Sequence, residues 1–321
     1  MDRFGLVIHG GAGTLVRSEL TPERDAVYRE TLTEALDAGY EVLRAGGTSL
    51  DAVVSAVVVL EDSPLFNAGK GACFTSSGIN ELDASLMDGK ELRAGAAAAV
   101  KRVKNPIRLA REVLEHSGHV FLAGEGADAF AELRGLDMVP PEYFYTEARY
   151  RAMQRLKQQG LDETALSEDT ALEHTLGPPA EPDKLGTVGA AALDRAGNLA
   201  AGTSTGGTTN KRFGRVGDSP LLGAGNYANN RSCAVSCTGE GEFFMRLLAA
   251  YDVSALMEYR GLGLEQAARE VVMQKVTRLG GRGGLVAIDR AGRVAMPFNT
   301  PGMYRGHIDA AGRRLVAVYQ Q

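Results

Sequence analysis

Cysteine is scarce in this 321-residue chain. Cys73, Cys233 and Cys237 are too few for a disulfide framework, so a reducing compartment is expected. The five histidines, His9, His116, His119, His174 and His307, are scattered. A zinc site needs ligands converging at recognisable spacing, so none of them is expected to hold a metal. Lysine and arginine form no runs and the net charge is −5, which argues against a nucleic-acid partner. The opening Met1-Asp2-Arg3-Phe4 leads into an apolar run that stops at His9-Gly10-Gly11, too short for a signal peptide core or a membrane span. A soluble cytoplasmic protein is the expectation. Common catalytic signatures are missing too: there is no Gly-x-Ser-x-Gly elbow, no His-Glu-x-x-His helix and no Walker loop.

Glycine, by contrast, is abundant. The 40 glycines cluster in discrete turns such as His9-Gly10-Gly11-Ala12-Gly13, Asn67-Ala68-Gly69-Lys70-Gly71 and Gly202-Thr203-Ser204-Thr205-Gly206-Gly207. With 44% hydrophobic residues there is enough apolar surface for a substantial core. Phe4–Ile8 reads as a strand. Thr21-Pro22 and Thr48 read as helix starts, and Gly46-Gly47 ends the first helix. Strands are expected over 80–86 and 92–100 around Asp88-Gly89, a helix from Asn105-Pro106, and a strand over 120–122. The pattern Asp-x-Ala-Gly recurs at Asp194, Asp289 and Asp309, each time between apolar strands, and predicts three hairpin turns. Helices are expected over 242–259 and 264–279. Helical layers over antiparallel sheets make an α+β fold of one body. The segment 151–185 carries Gly177-Pro178-Pro179 and little apolar periodicity, so its second half reads as a mobile linker; at Gly186 it meets an abrupt change into the buried strand Thr187–Leu193.

Two segments imitate a dinucleotide fingerprint, Gly124-Glu125-Gly126-Ala127-Asp128-Ala129 and Gly223-Ala224-Gly225-Asn226-Tyr227-Ala228. No regular βαβ alternation surrounds either, which leaves nicotinamide binding as a secondary reading. The denser signal is polar: Thr203, Thr205, Thr208, Thr209, Asn210, Arg215, Asp218, Asn226, Asn229, Asn230 and Thr238 stand between 187 and 239, interleaved with glycine. Arg215 and Asp218, three apart in one loop, offer a cation and an anion, the complement of a zwitterionic amino-acid head group. Pairing with each other or with surface partners is the alternative, and a non-enzymatic amino-acid-binding protein would use the same two residues.

Taken together, these motifs resemble the isoaspartyl peptidase / plant-type L-asparaginase family of N-terminal-nucleophile hydrolases. The resemblance rests on Ile8-His9-Gly10-Gly11-Ala12-Gly13-Thr14, Pro64–Gly71, Glu81–Gly89, Gly186-Thr187-Val188-Gly189, Thr203–Gly207, Gly214-Arg215-Val216-Gly217-Asp218-Ser219-Pro220, Gly223-Ala224-Gly225 and Ser236-Cys237-Thr238-Gly239. It implies a four-layer αββα sandwich made as a precursor. Cleavage between Gly186 and Thr187 would leave an α chain, 1–186, and a β chain, 187–321, two such pairs forming an (αβ)2 homodimer. Thr187 would then be the nucleophile, with its own α-amine as base. Thr238 and Gly239 would form the oxyanion hole, Arg215 would hold the substrate carboxylate and Asp218 its ammonium. Thr205 would bond near the nucleophile and assist processing, and Asn67 would orient the reacting groups. Substrates would be L-asparagine and β-aspartyl dipeptides. No cofactor would be needed for catalysis. A structural sodium would sit on backbone carbonyls of Leu60, Glu61, Ser63, Phe66, Ala68 and Lys70. Departures exist: Asn226 stands where some relatives carry cysteine, and Lys211-Arg212-Phe213 differs from the usual run. An aspartylglucosaminidase-like hydrolase is the alternative within the same nucleophile chemistry, disfavoured by Gly186-Thr187-Val188-Gly189. Taspase-like processing of proteins is disfavoured by the short linker.

Overall fold

The computed structural model describes residues 3–13, 20–160 and 186–320. Thr14 and most of the expected linker, 161–185, lie outside them. The helix starts follow their capping residues. In α1 (Pro22–Arg44) the Thr21 side chain accepts from the Arg24 N–H. In α2 (Ser49–Asp62) Thr48 and Asp51 form a reciprocal capping box. Helix α3 (Pro106–His116) begins with proline, whose missing N–H costs nothing in a first turn. Helices α4 (Gly124–Leu133) and α5 (Glu147–Gln158) complete the first half.

Strands β1 (Gly5–Gly13), β2 (Leu82–Asp88), β3 (Ala94–Val100), β4 (Phe121–Ala123), β5 (Val188–Leu193), β6 (Leu199–Thr205), β11 (Gly302–Asp309) and β12 (Arg314–Tyr319) form an eight-stranded sheet in the order β12-β11-β1-β5-β6-β2-β3-β4. Its pairs are antiparallel except β3 with β4, which α3 connects. A four-stranded sheet takes the order β10-β9-β8-β7, from β7 (Asn226–Ala228), β8 (Cys233–Gly239), β9 (Gly283–Asp289) and β10 (Val294–Ala295).

The central strands are buried on both faces, which is why they read as continuous apolar runs. In β1, Leu6 and Ile8 join α1 and α2 in one core, while Val7 faces a second core shared with Ala234, Val286 and Ile288 of the smaller sheet. In β5, Ala190 and Ala192 face the helices and Ala191 and Leu193 the other sheet. The outer face of the smaller sheet, through Cys233, Val235, Cys237, Leu285 and Ala287, packs on a third core with the C-terminal helices. Cys233 and Cys237 thus share a face, as their spacing predicts, in ordinary packing. The fold is mixed α and β, with helices against each sheet and the sheets against one another.

All three Asp-x-Ala-Gly segments are hairpin turns, each closed by a backbone bond from the glycine to its aspartate carbonyl. The first strand runs further than its apolar residues, through Gly13, with a bulge between His9 and Gly11. The helix expected over 242–259 is broken into α6 (Gly241–Leu247) and α7 (Ala249–Arg260) by Leu248, whose φ of 49° is left-handed. The break lets the Ala250 and Tyr251 N–H groups donate to the carbonyls of Ala224 and Gly223, contacts 26 to 28 residues apart that no local pattern encodes. The next helix is α-helical over α8 (Leu264–Arg269) and π-helical over Glu270–Val276. Of the two fingerprint-like segments, the first does open α4, whereas the second runs directly into β7. Among the described residues no helix is long and apolar enough to cross a membrane.

Candidate active site

Thr187 lies immediately before β5 and is buried. Val188 is opposite Ser204, so one further step of that register sets Thr187 against Thr205 at the end of β6. The Thr187 hydroxyl lies 3.1 Å from that of Ser219. Its carbonyl accepts from His9 Nδ1 at 3.0 Å, and His9 Nε2 lies 2.8 Å from Ser236 Oγ. Because a carbonyl only accepts, Nδ1 carries the proton and Nε2 accepts from Ser236. Burial depresses the His9 pKa to about 3 against the opposing pull of the Thr187 carbonyl, so the ring is neutral near pH 7.

Gly186 packs into the bulge of β1. A β-carbon on Gly11 (φ 112°) would stand 2.7 Å from the Gly186 carbonyl oxygen, and one on Gly186 would stand 2.7 Å from Thr238 Oγ1. Thr238 Oγ1 accepts from the Ala12 N–H at 3.3 Å, which leaves its own proton to point elsewhere. Gly239, at φ 145°, ends β8, and a side chain there would strike Gly283. The bulge therefore brings His9, Gly11 and Ala12 against Thr187, Gly186 and Thr238.

Arg215 and Asp218 both come up against Gly241. A β-carbon on Gly241 would lie 2.8 Å from Asp218 Oδ1 and 3.1 Å from Arg215 Nη2, so only glycine leaves both groups room. Arg215 Nε and Nη2 grip Glu242 at 2.9 and 3.0 Å, a pairing with a surface carboxylate of the kind the sequence left open as the alternative. Asp218 Oδ2 is buried without a hydrogen-bond partner among the described residues. Burial raises the Asp218 pKa to about 7, with Arg215 opposing. Asp218 and Ser219 adjoin in sequence, which ties this loop to the Thr187 hydroxyl.

Asn67 spans two segments: its Nδ2 donates to the Gly207 carbonyl at 2.7 Å and its Oδ1 accepts from the Cys73 N–H at 2.9 Å. Thr205 Oγ1 accepts from the Gly207 N–H at 3.0 Å. Asn67 and Thr205 thus brace the turn after β6. In the loop over 60–71, the carbonyls of Glu61, Pro64 and Phe66 crowd the α-carbons of Gly69 and Gly71, where any β-carbon would strike them. No group of three or more His, Cys, Asp or Glu side chains among the described residues could hold a metal.

Sequence reasoning assigned no role to His9, Ser219, Ser236 or Ser85. Ser85 Oγ donates to the Ser219 carbonyl at 2.5 Å, and Asn226 Nδ2 donates to Ser85 Oγ at 2.6 Å. All four sit inside motifs already singled out, which was the available signal; what brings them together is sheet pairing and packing.

The family model described as Asparaginase matches residues 2–318. The isoaspartyl peptidase of Escherichia coli (strain K12) is 50% identical over 321 residues, covering 100% of this chain and 98% of that protein. The isoaspartyl peptidase/L-asparaginase of Xenopus laevis is 42% identical over 296 residues, covering 92% of this chain and 89% of its own length. That of Mus musculus is 43% identical over 291 residues, covering 89% and 82% respectively. With a match across nearly its whole length, the chain belongs to the asparaginase family.

Proposed function

We propose that this protein is an autoprocessing amidohydrolase that hydrolyses β-aspartyl dipeptides and L-asparagine, releasing L-aspartate through an acyl-enzyme on Thr187. The precursor cuts itself between Gly186 and Thr187, giving chains 1–186 and 187–321. The observation that carries the reading is the surroundings of Thr187: a buried hydroxyl 3.1 Å from that of Ser219, whose chain neighbour Asp218 meets Arg215 at Gly241, with Thr238 Oγ1 facing Gly186. Relatives named isoaspartyl peptidase and L-asparaginase support the same activity.

In processing, the Thr187 hydroxyl attacks the Gly186 carbonyl. The Gly186–Thr187 C–N bond breaks as the hydroxyl proton passes to nitrogen, freeing the α-amine and leaving an ester. Water hydrolyses the ester to the Gly186 carboxylate and the free Thr187 hydroxyl. An α-amine of pKa about 7.7–8.0 is partly neutral near pH 7 and takes the hydroxyl proton. The hydroxyl then attacks the side-chain carbonyl of the substrate. Thr238 O–H and Gly239 N–H stabilise the oxyanion; one such donor contributes about 10²–10³ in rate. Ammonia or an amino acid leaves with the proton, and water releases aspartate. Arg215 holds the α-carboxylate, keeping donors beyond the two given to Glu242, and ionised Asp218 accepts from the α-ammonium. Thr205 and Asn67 brace the turn facing Thr187.

The same reading extends to architecture and setting. Helices, sheet, sheet and helices stack as a four-layer αββα sandwich. Leu60, Glu61, Ser63, Phe66, Ala68 and Lys70 would hold sodium through backbone oxygens, and the ion would rigidify the loop that carries Asn67. Of the six carbonyls this needs, those of Glu61 and Phe66 lie against Gly69 and Gly71, and those of Phe66 and Ala68 also accept from the Ala68 and Gly71 N–H groups. Free, buried Cys73, Cys233 and Cys237 suit a reducing cytoplasm. Two cleaved pairs assemble as a homodimer.

Intact mass and denaturing electrophoresis after incubation at neutral pH test the central claim. Wild type should yield two fragments, the second beginning at Thr187, and release aspartate from a β-aspartyl dipeptide. Thr187→Ala should stay whole and inactive. A wild-type chain that remains uncut under all conditions sinks the proposal.

A further inference from the structure

The His9 ring is wholly buried, and a buried imidazole is tolerable only where both nitrogens find partners. Both do, on two different elements: the Thr187 carbonyl at 3.0 Å and Ser236 Oγ of β8 at 2.8 Å. Space for this arrangement depends on Gly189, which faces His9 across the β1–β5 pair. A β-carbon there would stand 2.7 Å from His9 Nε2 and would overlap Ser236 Oγ. Behind Ser236, Thr203 Oγ1 lies 3.1 Å away and also reaches the Gly225 carbonyl at 3.2 Å. The ring is therefore fixed in orientation and tautomer by β6 and β8, and its one proton is spent on Thr187.

The β1–β5 ladder ends at the His9–Gly189 pair, where β1 bulges at Gly10 in its pairing with β11. Two residues back along the chain, the carbonyl of Thr187 takes its hydrogen bond from the His9 side chain. This matters most after cleavage. Once the Gly186–Thr187 bond is gone, no preceding peptide plane restrains the new terminus. Two anchors remain in the observed geometry, the hydroxyl contact with Ser219 and the carbonyl contact with His9. Holding the carbonyl fixes rotation about the Cα–C bond, and hence where the amine and hydroxyl of the same residue point.

We infer that His9, locked by Ser236, is a positioning residue that aims the freed Thr187 terminus for attack. The inference rests on the function proposed above. Its effect falls on turnover and not on substrate affinity, because Arg215 and Asp218 hold the substrate head group without touching His9. Misalignment of a nucleophile by a fraction of an ångström costs rate steeply.

The test compares wild type with His9→Phe, His9→Asn and Ser236→Ala, with kcat normalised to the cleaved fraction measured by intact mass. Phenylalanine fills the space and donates nothing; asparagine Nδ2 offers an N–H near the position of Nδ1. In His9→Phe, kcat should fall about tenfold with KM within about twofold, the loss expected for one hydrogen bond expressed only in the reacting geometry. His9→Asn should recover most of that loss. Ser236→Ala, which frees the ring to turn, should lower kcat about threefold. Equal kcat in His9→Phe and wild type overturns the inference, as does a loss appearing in KM alone. If His9→Phe shows no cooperative melting, Ser236→Ala decides: unchanged kcat there overturns it. A wild-type protein that cuts itself and turns over while the His9 variants match it rejects only the positioning role. A wild type that never cuts rejects the function reading beneath it.

Discussion

The hydroxyl of Thr187 lies 3.1 Å from the hydroxyl of Ser219, and the carbonyl of Ser219 is itself held by Ser85. The contact joins the residue that begins the second half of the fold to the loop that carries Arg215 and Asp218. Substituting Ser219→Ala removes a partner of the nucleophile and leaves the backbone bond from Ser85. Turnover of a β-aspartyl dipeptide should drop about tenfold while the thermal midpoint shifts little. Steady-state kinetics beside a melting curve reads this, and unchanged kcat would show that the contact does not orient Thr187.

Gly11 packs directly against Gly186. Its φ of 112° disfavours any side chain, and a β-carbon would meet the Gly186 carbonyl oxygen at 2.7 Å. Gly11→Ala should therefore displace the scissile peptide and slow self-cleavage at least about tenfold. The half-time of cleavage, followed by intact mass, is the measurement. Cleavage at the wild-type rate would mean that the β1 bulge does not hold Gly186.

Asp218 makes a prediction in pH. Burial raises its pKa from 3.8 to about 7 in the folded protein. The folded state then binds the proton more tightly than the unfolded chain, so this group's stabilising contribution is full below about pH 4 and is lost as pH rises through about 7. Asp218→Asn should gain stability relative to wild type as pH increases from 5 to 8, and should bind L-aspartate poorly throughout. For wild type, the ammonium of L-aspartate needs ionised Asp218, so affinity should weaken about tenfold between pH 8 and pH 6. Thermal melts and calorimetric titration at both pH values check the two halves. Affinity flat across that range would remove Asp218 from the ammonium site.

Far from this chemistry, Thr48 and Asp51 cap α2 reciprocally. Thr48→Ala should cost about 1 kcal/mol of stability and leave kcat unaltered. Chemical denaturation measures the first and the dipeptide assay the second. A loss well below that would mean that tertiary packing alone holds this helix end.

Much of the framework was legible because its causes are local. Thr21-Pro22 and Thr48 marked helix starts, and Asp194, Asp289 and Asp309 marked turns through their own side chains and a following glycine. The break at Leu248 was not legible, since its reason is a pair of carbonyls at Gly223 and Ala224. Nor did the apolar residues of β1 predict its continuation to Gly13, because glycines joined to β11 carry no hydrophobic signal. At the site, Arg215 and Asp218 were recognisable as a charge pair in one loop. The grip of Glu242 on Arg215 was hidden because α6 had to fold back over that loop.

The sequence by itself determined which residues could do chemistry: a threonine after a glycine at the head of an apolar strand, an arginine and an aspartate three apart, and a family pattern running through nearly the whole chain. Tertiary structure alone decided the state of those groups. His9 is neutral and Asp218 is raised because strands and loops distant in sequence remove water from around them, and desolvation acts through space. Thr187 meets Ser219, and its carbonyl meets His9, because two sheets close on one another and leave a seam of hydroxyls between them. Hydrogen bonds are set by distances of about 3 Å, and residues brought that close from 32 and 178 positions away leave no trace in local pattern.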